Sequence, residues 1–356
     1  LKQSKTTEAL EKAQLGFGQS PEDPESLVVL AACLGANDRD SEALPIIEKI
    51  LKAEPNYAEA YANRVLIKLR AKDIVGAIED AKITVSLKPH LTQMWVLLSS
   101  LYYQNSKLSD AIEALQSAHN NEPTNTAVMI QLGDFLQQDN KVSEAITILE
   151  QATESAPKDA NAWTTLGVAF QQEKRITEAK KAYERALALN PKSAAILSNL
   201  GAVAKETEGW GSALGYFEKA LEIEPSLADT HNNLGITLKE LGRLDEAEAS
   251  YNQAIALKSD YAEAHNNLGI TLQELGRLDE AAASYNQAIA SKSDYAEAHY
   301  NLGNTLRKLG KLDEAAANYT EAIASKSDYA EAHYNLGITL RDLGRLDEAV
   351  VSYTQA

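Results

Sequence analysis

Four histidines, His231, His265, His299 and His333, are the residues whose type and recurrence first suggest chemistry. Imidazoles in that number can hold a zinc ion or pass protons. Their spacing argues against it. Each follows the last by 34 residues, at the slot that Trp95 and Trp163 fill earlier in the chain. Packed helical layers lie about 8–10 Å apart, too far for two such rings to reach one zinc at about 2.1 Å. We read them as packing residues and expect no metal site. His90 and His119 are isolated. The single cysteine, Cys33, sits among Leu30, Ala31 and Leu34 and reads as a small core residue. It permits no intrachain disulfide and suits a reducing, cytoplasmic setting. The carboxylates are spaced as caps and surface charges, not as a convergent pair. No Gly-rich phosphate loop, nucleophile elbow or Cys–Cys metal spacing occurs. No catalytic residue and no cofactor is expected in this chain. Trp210, between Gly209 and Gly211, reads as a packing plug in an irregular turn sooner than as an exposed contact.

A period of 34 positions all of these residues. Leu268, Gly269, Ala281, Tyr285 and Ala288 recur as Leu234, Gly235, Ala247, Tyr251 and Ala254, and again as Leu302, Gly303, Ala315, Tyr319 and Ala322. The pattern weakens toward the N-terminus without losing register, and Pro55, Pro89, Pro123, Pro157, Pro191 and Pro225 keep the same count. Within residues 262–295, Leu268, Leu272 and Leu275 form the stripe of one amphipathic helix. Gly276 is a stop, and residues 278–291 carry a second stripe through Ala281, Tyr285 and Ala288. Asp260 with Glu263 fits an N-cap and capping box, repeated by Asp294/Glu297 and Asp328/Glu331, with Asn56/Glu59 an earlier version. A helix of roughly 14 residues is about 21 Å long, so one pair cannot bury its apolar faces alone and neighbours must stack. Residues 1–23 read as the second helix of a truncated unit, with Ala9, Ala13 and Pro21 in register. Ten units follow, starting at Pro24, Ala58, Thr92, Thr126, Ala160, Ala194, Ala228, Ala262, Ala296 and Ala330, the last incomplete. They are expected to form one elongated array. Both ends read as cut, which suggests a fragment, a processed chain or a partly ordered protein.

Trp163, Leu166, Gly167, Phe170, Ala179, Tyr183, Ala186 and Pro191 carry a family likeness. The chain resembles the tetratricopeptide repeat over nearly its whole length. The resemblance implies an all-α, right-handed superhelical solenoid whose first helices line a concave groove and bind protein segments there.

Net charge is −17, and no basic stripe is present to neutralise phosphates, so nucleic acid is not an expected partner. The longest apolar run, residues 27–36, is too short to span a bilayer. Residues 228–356 hold 20 acidic and 11 basic side chains, which suits a neutral or basic partner, or simply a solvated surface.

Adjacent units 262–295 and 296–329 differ at eight of 34 positions. The substantial changes, Asn266/Tyr300, Ile270/Asn304, Gln273/Arg307 and Glu274/Lys308, lie on one stripe of the first helix. This reads as a copied frame with a varied groove wall. Asn199, Asn233, Asn267, Asn301 and Asn335 form a second line, with Asn63 outlying. Each amide offers a donor and an acceptor to the backbone of an extended peptide. The line resembles the ladder in the superhelical arm of O-linked N-acetylglucosamine transferases. Asn232, Asn266, Tyr300, Tyr334 and Asn304, with the basic Arg307, Lys308 and Arg341, would set preference. The lysine of the carboxylate-clamping, chaperone-binding variety is absent at Asn232/Ile236, Asn266/Ile270 and Tyr300/Asn304. Val28, Ala62, Val96 and Ile130 make an apolar strip that suits either a hydrophobic partner helix, self-association or internal packing. The expected function is a non-catalytic scaffold holding a peptide. The alternatives are a substrate-recruiting arm of a larger transferase and a self-assembling array that associates through open repeat ends.

Overall fold

The computed structural model describes residues 2–20 and 22–356, with side chains from residue 6 onward. Pro21, expected in register, lies outside the described residues. The described chain forms helices only: α1 Lys2–Gln19, α2 Pro24–Ala36, α3 Asp40–Ala53, α4 Ala58–Arg70, α5 Ile74–Leu87, α6 Thr92–Gln104, α7 Leu108–Asn121, α8 Thr126–Gln138, α9 Val142–Ser155, α10 Ala160–Gln172, α11 Ile176–Leu189, α12 Ala194–Thr207, α13 Trp210–Ile223, α14 Ala228–Glu240, α15 Leu244–Leu257, α16 Ala262–Glu274, α17 Leu278–Ser291, α18 Ala296–Lys308, α19 Leu312–Ser325, α20 Ala330–Asp342 and α21 Leu346–Thr354. They divide into two compact units, residues 1–175 and 176–356. In residues 1–175 helices α2 to α9 pair as stacked hairpins, and in residues 176–356 helices α12 to α21 do, the even-numbered helix leading and the odd-numbered one following.

Within most hairpins a small residue on the first helix receives a large one from the second. A Cβ on Gly235, Gly269 or Gly303 would lie 2.6–2.7 Å from a ring atom of Tyr251, Tyr285 or Tyr319. Gly201 stands the same way to Phe217, and Gly133 to Leu149. These rings are fully buried, and in residues 176–356 they join Leu234, Leu268 and Leu302 in one continuous core. Further toward the N-terminus the sizes trade places: Val65 takes the glycine slot and Ala81 the aromatic slot, both buried.

Gly276 stops α16 as its φ of +78° requires. Its N–H bonds the Gln273 carbonyl (3.1 Å) and the Arg277 N–H bonds the Leu272 carbonyl (2.9 Å), the paired closure of a Schellman turn. Gly242, Gly310 and Gly344 repeat it, whereas Asp38, Lys72, Ser106, Asn140 and Lys174 occupy the same left-handed position with a side chain. The hairpin of α12 and α13 breaks this rule. Its first helix runs one residue longer, Gly209 (φ +94°) takes the turn, and the half-buried Trp210 opens α13 in the slot of Leu244.

The expected capping boxes are not formed. Helices α16, α18 and α20 begin one residue later than that reading required, with Tyr261, Tyr295 and Tyr329 as N-caps that make no side-chain cap bond. Tyr57 holds the same place before α4, so Asn56/Glu59 fails alike. Instead, the Tyr261, Tyr295 and Tyr329 N–H groups bond the carbonyls of Lys258, Lys292 and Lys326, and each lysine lies over its tyrosine ring. Side-chain caps do occur at that register in Asp23, Asn125, Asp159 and Ser193.

Candidate protein-binding face

The histidine slot does more than pack. His265, His299 and His333 are buried, and each Nε2 lies 3.1–3.2 Å from the carbonyl six residues back, on Ser259, Ser293 and Ser327. His231 reaches the Pro225 carbonyl in the same way. Trp95 and Trp163 donate Nε1–H to Pro89 and Pro157, and the Tyr61 hydroxyl donates to Pro55. A carbonyl only accepts, so Nε2 of each histidine carries a proton. The slot selects a flat side chain with a donor at its tip, which ties the first helix to the turn before it. Spacing alone suggested packing. The shared N–H of Trp and His was the overlooked signal. Among the described residues no three metal-ligating side chains converge. Cys33 is half-buried against the core of α2 and α3, and burial pushes its thiol up.

The asparagine line lies on the first helices of residues 176–356, half-buried throughout. Three of its amides are engaged across the repeat boundary. Asn267 Nδ2 donates to Asn232 Oδ1 and Asn301 Nδ2 to Asn266 Oδ1, each at 3.1 Å. Asn335 Nδ2 donates to the Tyr300 hydroxyl and to Asn304 Oδ1, both at 3.1 Å. Asn63, in the other unit, donates to the Val28 carbonyl. The Oδ1 atoms of Asn267, Asn301 and Asn335 keep their accepting capacity, and the side chains of Asn199 and Asn233 make no hydrogen bond among the described residues.

The residues expected to vary the wall separate by burial. Asn232 and Asn266, read as wall residues, are only 6% and 1% exposed, because the next repeat's asparagine closes over them. They serve as acceptors between layers and are not available to a ligand. Asn304 is half-buried and accepts from the Tyr319 hydroxyl at 2.8 Å. Burial pushes that phenol up to about 12, so it stays a donor. The Ile270/Asn304 difference therefore answers a core tyrosine as well as a surface. Tyr300 is half-buried, tilted against Tyr319 and Tyr329 at 6.0 and 5.0 Å between centroids. Tyr334, its equivalent one repeat on, is 55% exposed. Lys308 and Arg341 are exposed and Arg307 is half-buried. Arg341 pairs with Asp342 at 2.8 Å, while Arg307 and Lys308 form no ion pair among the described residues. In residues 1–175, Val28 is buried and Ala62, Val96 and Ile130 are half-buried.

Stacked two-helix units, a glycine facing an aromatic in the hairpins of residues 176–356, and a polar line on the leading helices define a helical-repeat scaffold. The chain is a tetratricopeptide-repeat protein. Residues 82–194 match the TPR domain of cytochrome c-type biogenesis protein H. Residues 193–260 and 226–294 match a tetratricopeptide-repeat model, as do 284–317, 303–341 and 330–356. No curated protein matches the chain. Among solved structures, the APC/C hetero-tetramer Cut9-Hcn1 is similar over 90% of this chain and 64% of its own, at 15% identity and a TM-score of 0.60. A tetratricopeptide repeat protein from Parabacteroides merdae aligns over 70% of this chain and 98% of its own, at 19% identity and a TM-score of 0.56. PilF of Pseudomonas aeruginosa aligns over 57% and 92%, at 20% identity and a TM-score of 0.52. These identities speak for the fold alone. Among the described residues no helix is long and apolar enough to cross a membrane.

Proposed function

We propose that this chain is a non-catalytic interaction scaffold that holds an extended protein segment against the first helices of residues 176–356. The observation that carries this reading is the line Asn199, Asn233, Asn267, Asn301 and Asn335, one half-buried amide per repeat on one face. An extended backbone offers N–H groups at regular intervals, and a row of oriented carbonyl oxygens accepts them without regard to sequence. The cross-repeat bonds of Asn267, Asn301 and Asn335 fix those amides before any ligand arrives, which lowers the ordering cost of binding. Asn199 and Asn233 keep donor and acceptor both. Exposed Tyr334, Lys308 and Arg341 would modulate preference, and the acidic surroundings favour a neutral or basic segment.

Asn199 and Asn233 also supply the cleanest test, because removing them breaks no internal bond. Extended peptides selected on the wild-type chain are titrated calorimetrically into an Asn199→Ala/Asn233→Ala variant. Two lost hydrogen bonds predict about tenfold weaker binding with an unchanged melting curve. Unchanged affinity would remove the amide line from the binding mechanism.

A further inference from the structure

A second surface lies on the second-helix side of the other unit. Between α5 and α7, over α6, is a cleft of about 310 Å³, at the lower end of ligand-pocket sizes and suited to one or two side chains. Val85, Leu98 and Ala114 form its nearly fully buried floor, and the half-buried Trp95 and Tyr102 rings flank them. Trp95 spends its only donor on the Pro89 carbonyl at 2.8 Å, so within the cleft the indole offers carbon alone.

The rim carries Asp110 and Glu113, one turn apart on α7, with Lys82 on the α5 side. All three are exposed, and none is in an ion pair among the described residues. Both carboxylates lie close enough to act on Tyr102, whose phenol is pushed up by burial first and then by their charge. The cleft therefore joins the half-buried Trp95 and Tyr102 rings to two carboxylates that are in no ion pair, with Lys82 across the cleft and Lys141 acting on Glu113 from the next repeat. The same register recurs between α19 and α21, where Glu348 takes the place of Asp110. There the carboxylate is already held by Arg345 at 2.7 Å, so that copy lacks the free charge.

We propose that the α5–α7 cleft binds a protein segment through a large apolar side chain with an Arg or Lys directly beside it. The apolar group covers Leu98, Trp95 and Tyr102, and the cation meets Asp110 and Glu113. This surface shares no residue with the asparagine line, so either can fail without the other.

The three tryptophan indole N–H resonances of the 15N-labelled full chain give the readout, with Trp95 assigned through Trp95→Phe. The probe is acetyl-Arg-Leu-Phe-Arg-amide, compared with acetyl-Glu-Leu-Phe-Glu-amide and acetyl-Arg-Ser-Ser-Arg-amide. The expected result is a saturable shift of Trp95 with the first peptide only, while Trp163 and Trp210 stay still. Asp110→Asn with Glu113→Gln, both exposed and so compatible with folding, should weaken it about fivefold. No Trp95 shift at millimolar peptide, an equal shift with the acidic or the polar peptide, or full binding by the double variant would each overturn the proposal.

Discussion

Replacing Gly269 by alanine sets two known effects against each other. The added Cβ would stand 2.6, 2.8 and 2.9 Å from Cε1, Cδ1 and Cζ of Tyr285. These are mid-ring atoms of a side chain only 1% exposed, so the ring cannot swing into solvent. Alanine gains about 1 kcal/mol over glycine in a helix interior. Forcing an extra carbon into a packed core costs about 1–3 kcal/mol. The net expectation is destabilisation of up to about 2 kcal/mol, read by urea unfolding followed at 222 nm. Tyr285→Ala empties the contested space, as Ala81 does opposite Val65, at the cost of a cavity. Gly269→Ala in that background should cost less than it does alone, a coupling of about 1 kcal/mol. The chain already contains the exchanged arrangement in Val65 and Ala81. A Gly269→Ala variant that is more stable than wild type, or strictly additive with Tyr285→Ala, would refute the size-trade account of the hairpin.

Gly276, with φ +78° and open space around its would-be Cβ, isolates backbone strain, so Gly276→Ala should cost about 1 kcal/mol in the same unfolding assay. Conversely, Lys72→Gly, at φ +61°, should gain up to about 1 kcal/mol. Gln137 Oε1 is buried without a partner, whereas the equivalent Gln273 Oε1 accepts from Thr305 at 2.7 Å. Thr305 stands at the place that Ala169 holds in the earlier repeat. Ala169→Thr should therefore raise stability by about 1 kcal/mol, seen as a higher urea midpoint. Asp80, only 2% exposed, takes both oxygens to Arg64 at 2.7 Å and one to Lys68 at 2.8 Å. Asp80→Ala strands two cations and should cost about 3 kcal/mol, the low end for a buried pair because both cations keep partial contact with water.

The period and both helix stripes were legible because they are local: i, i+4 and i+7 recur inside one helix. The caps were misplaced by one residue because an acid three residues before a glutamate is a capping box only if the helix starts at the residue directly after the acid, and these helices start one later. Here the lysine–tyrosine turn delays that start. The amides of Asn267 and Asn301 were read as free because their partners lie 35 residues away, one repeat plus one position. Only stacking brings such pairs together. Asn266 was misread for the same reason, since a position polar on its own helix is covered by the next. Where a difference between repeats touched the core, as at Asn304 and Tyr319, surface periodicity could not distinguish it from tuning of the wall.

The central claim, that a guest segment lies on the leading helices, is tested most directly by site-specific photo-crosslinking. A benzophenone amino acid is placed at Asn233, Tyr334 or Lys308, and in parallel at the exposed second-helix positions Asn252 and Gln253, and the chains are irradiated with a selected peptide bound. Adducts from the first three sites and none from Asn252 or Gln253 are predicted. Adducts confined to the second-helix sites would contradict the account.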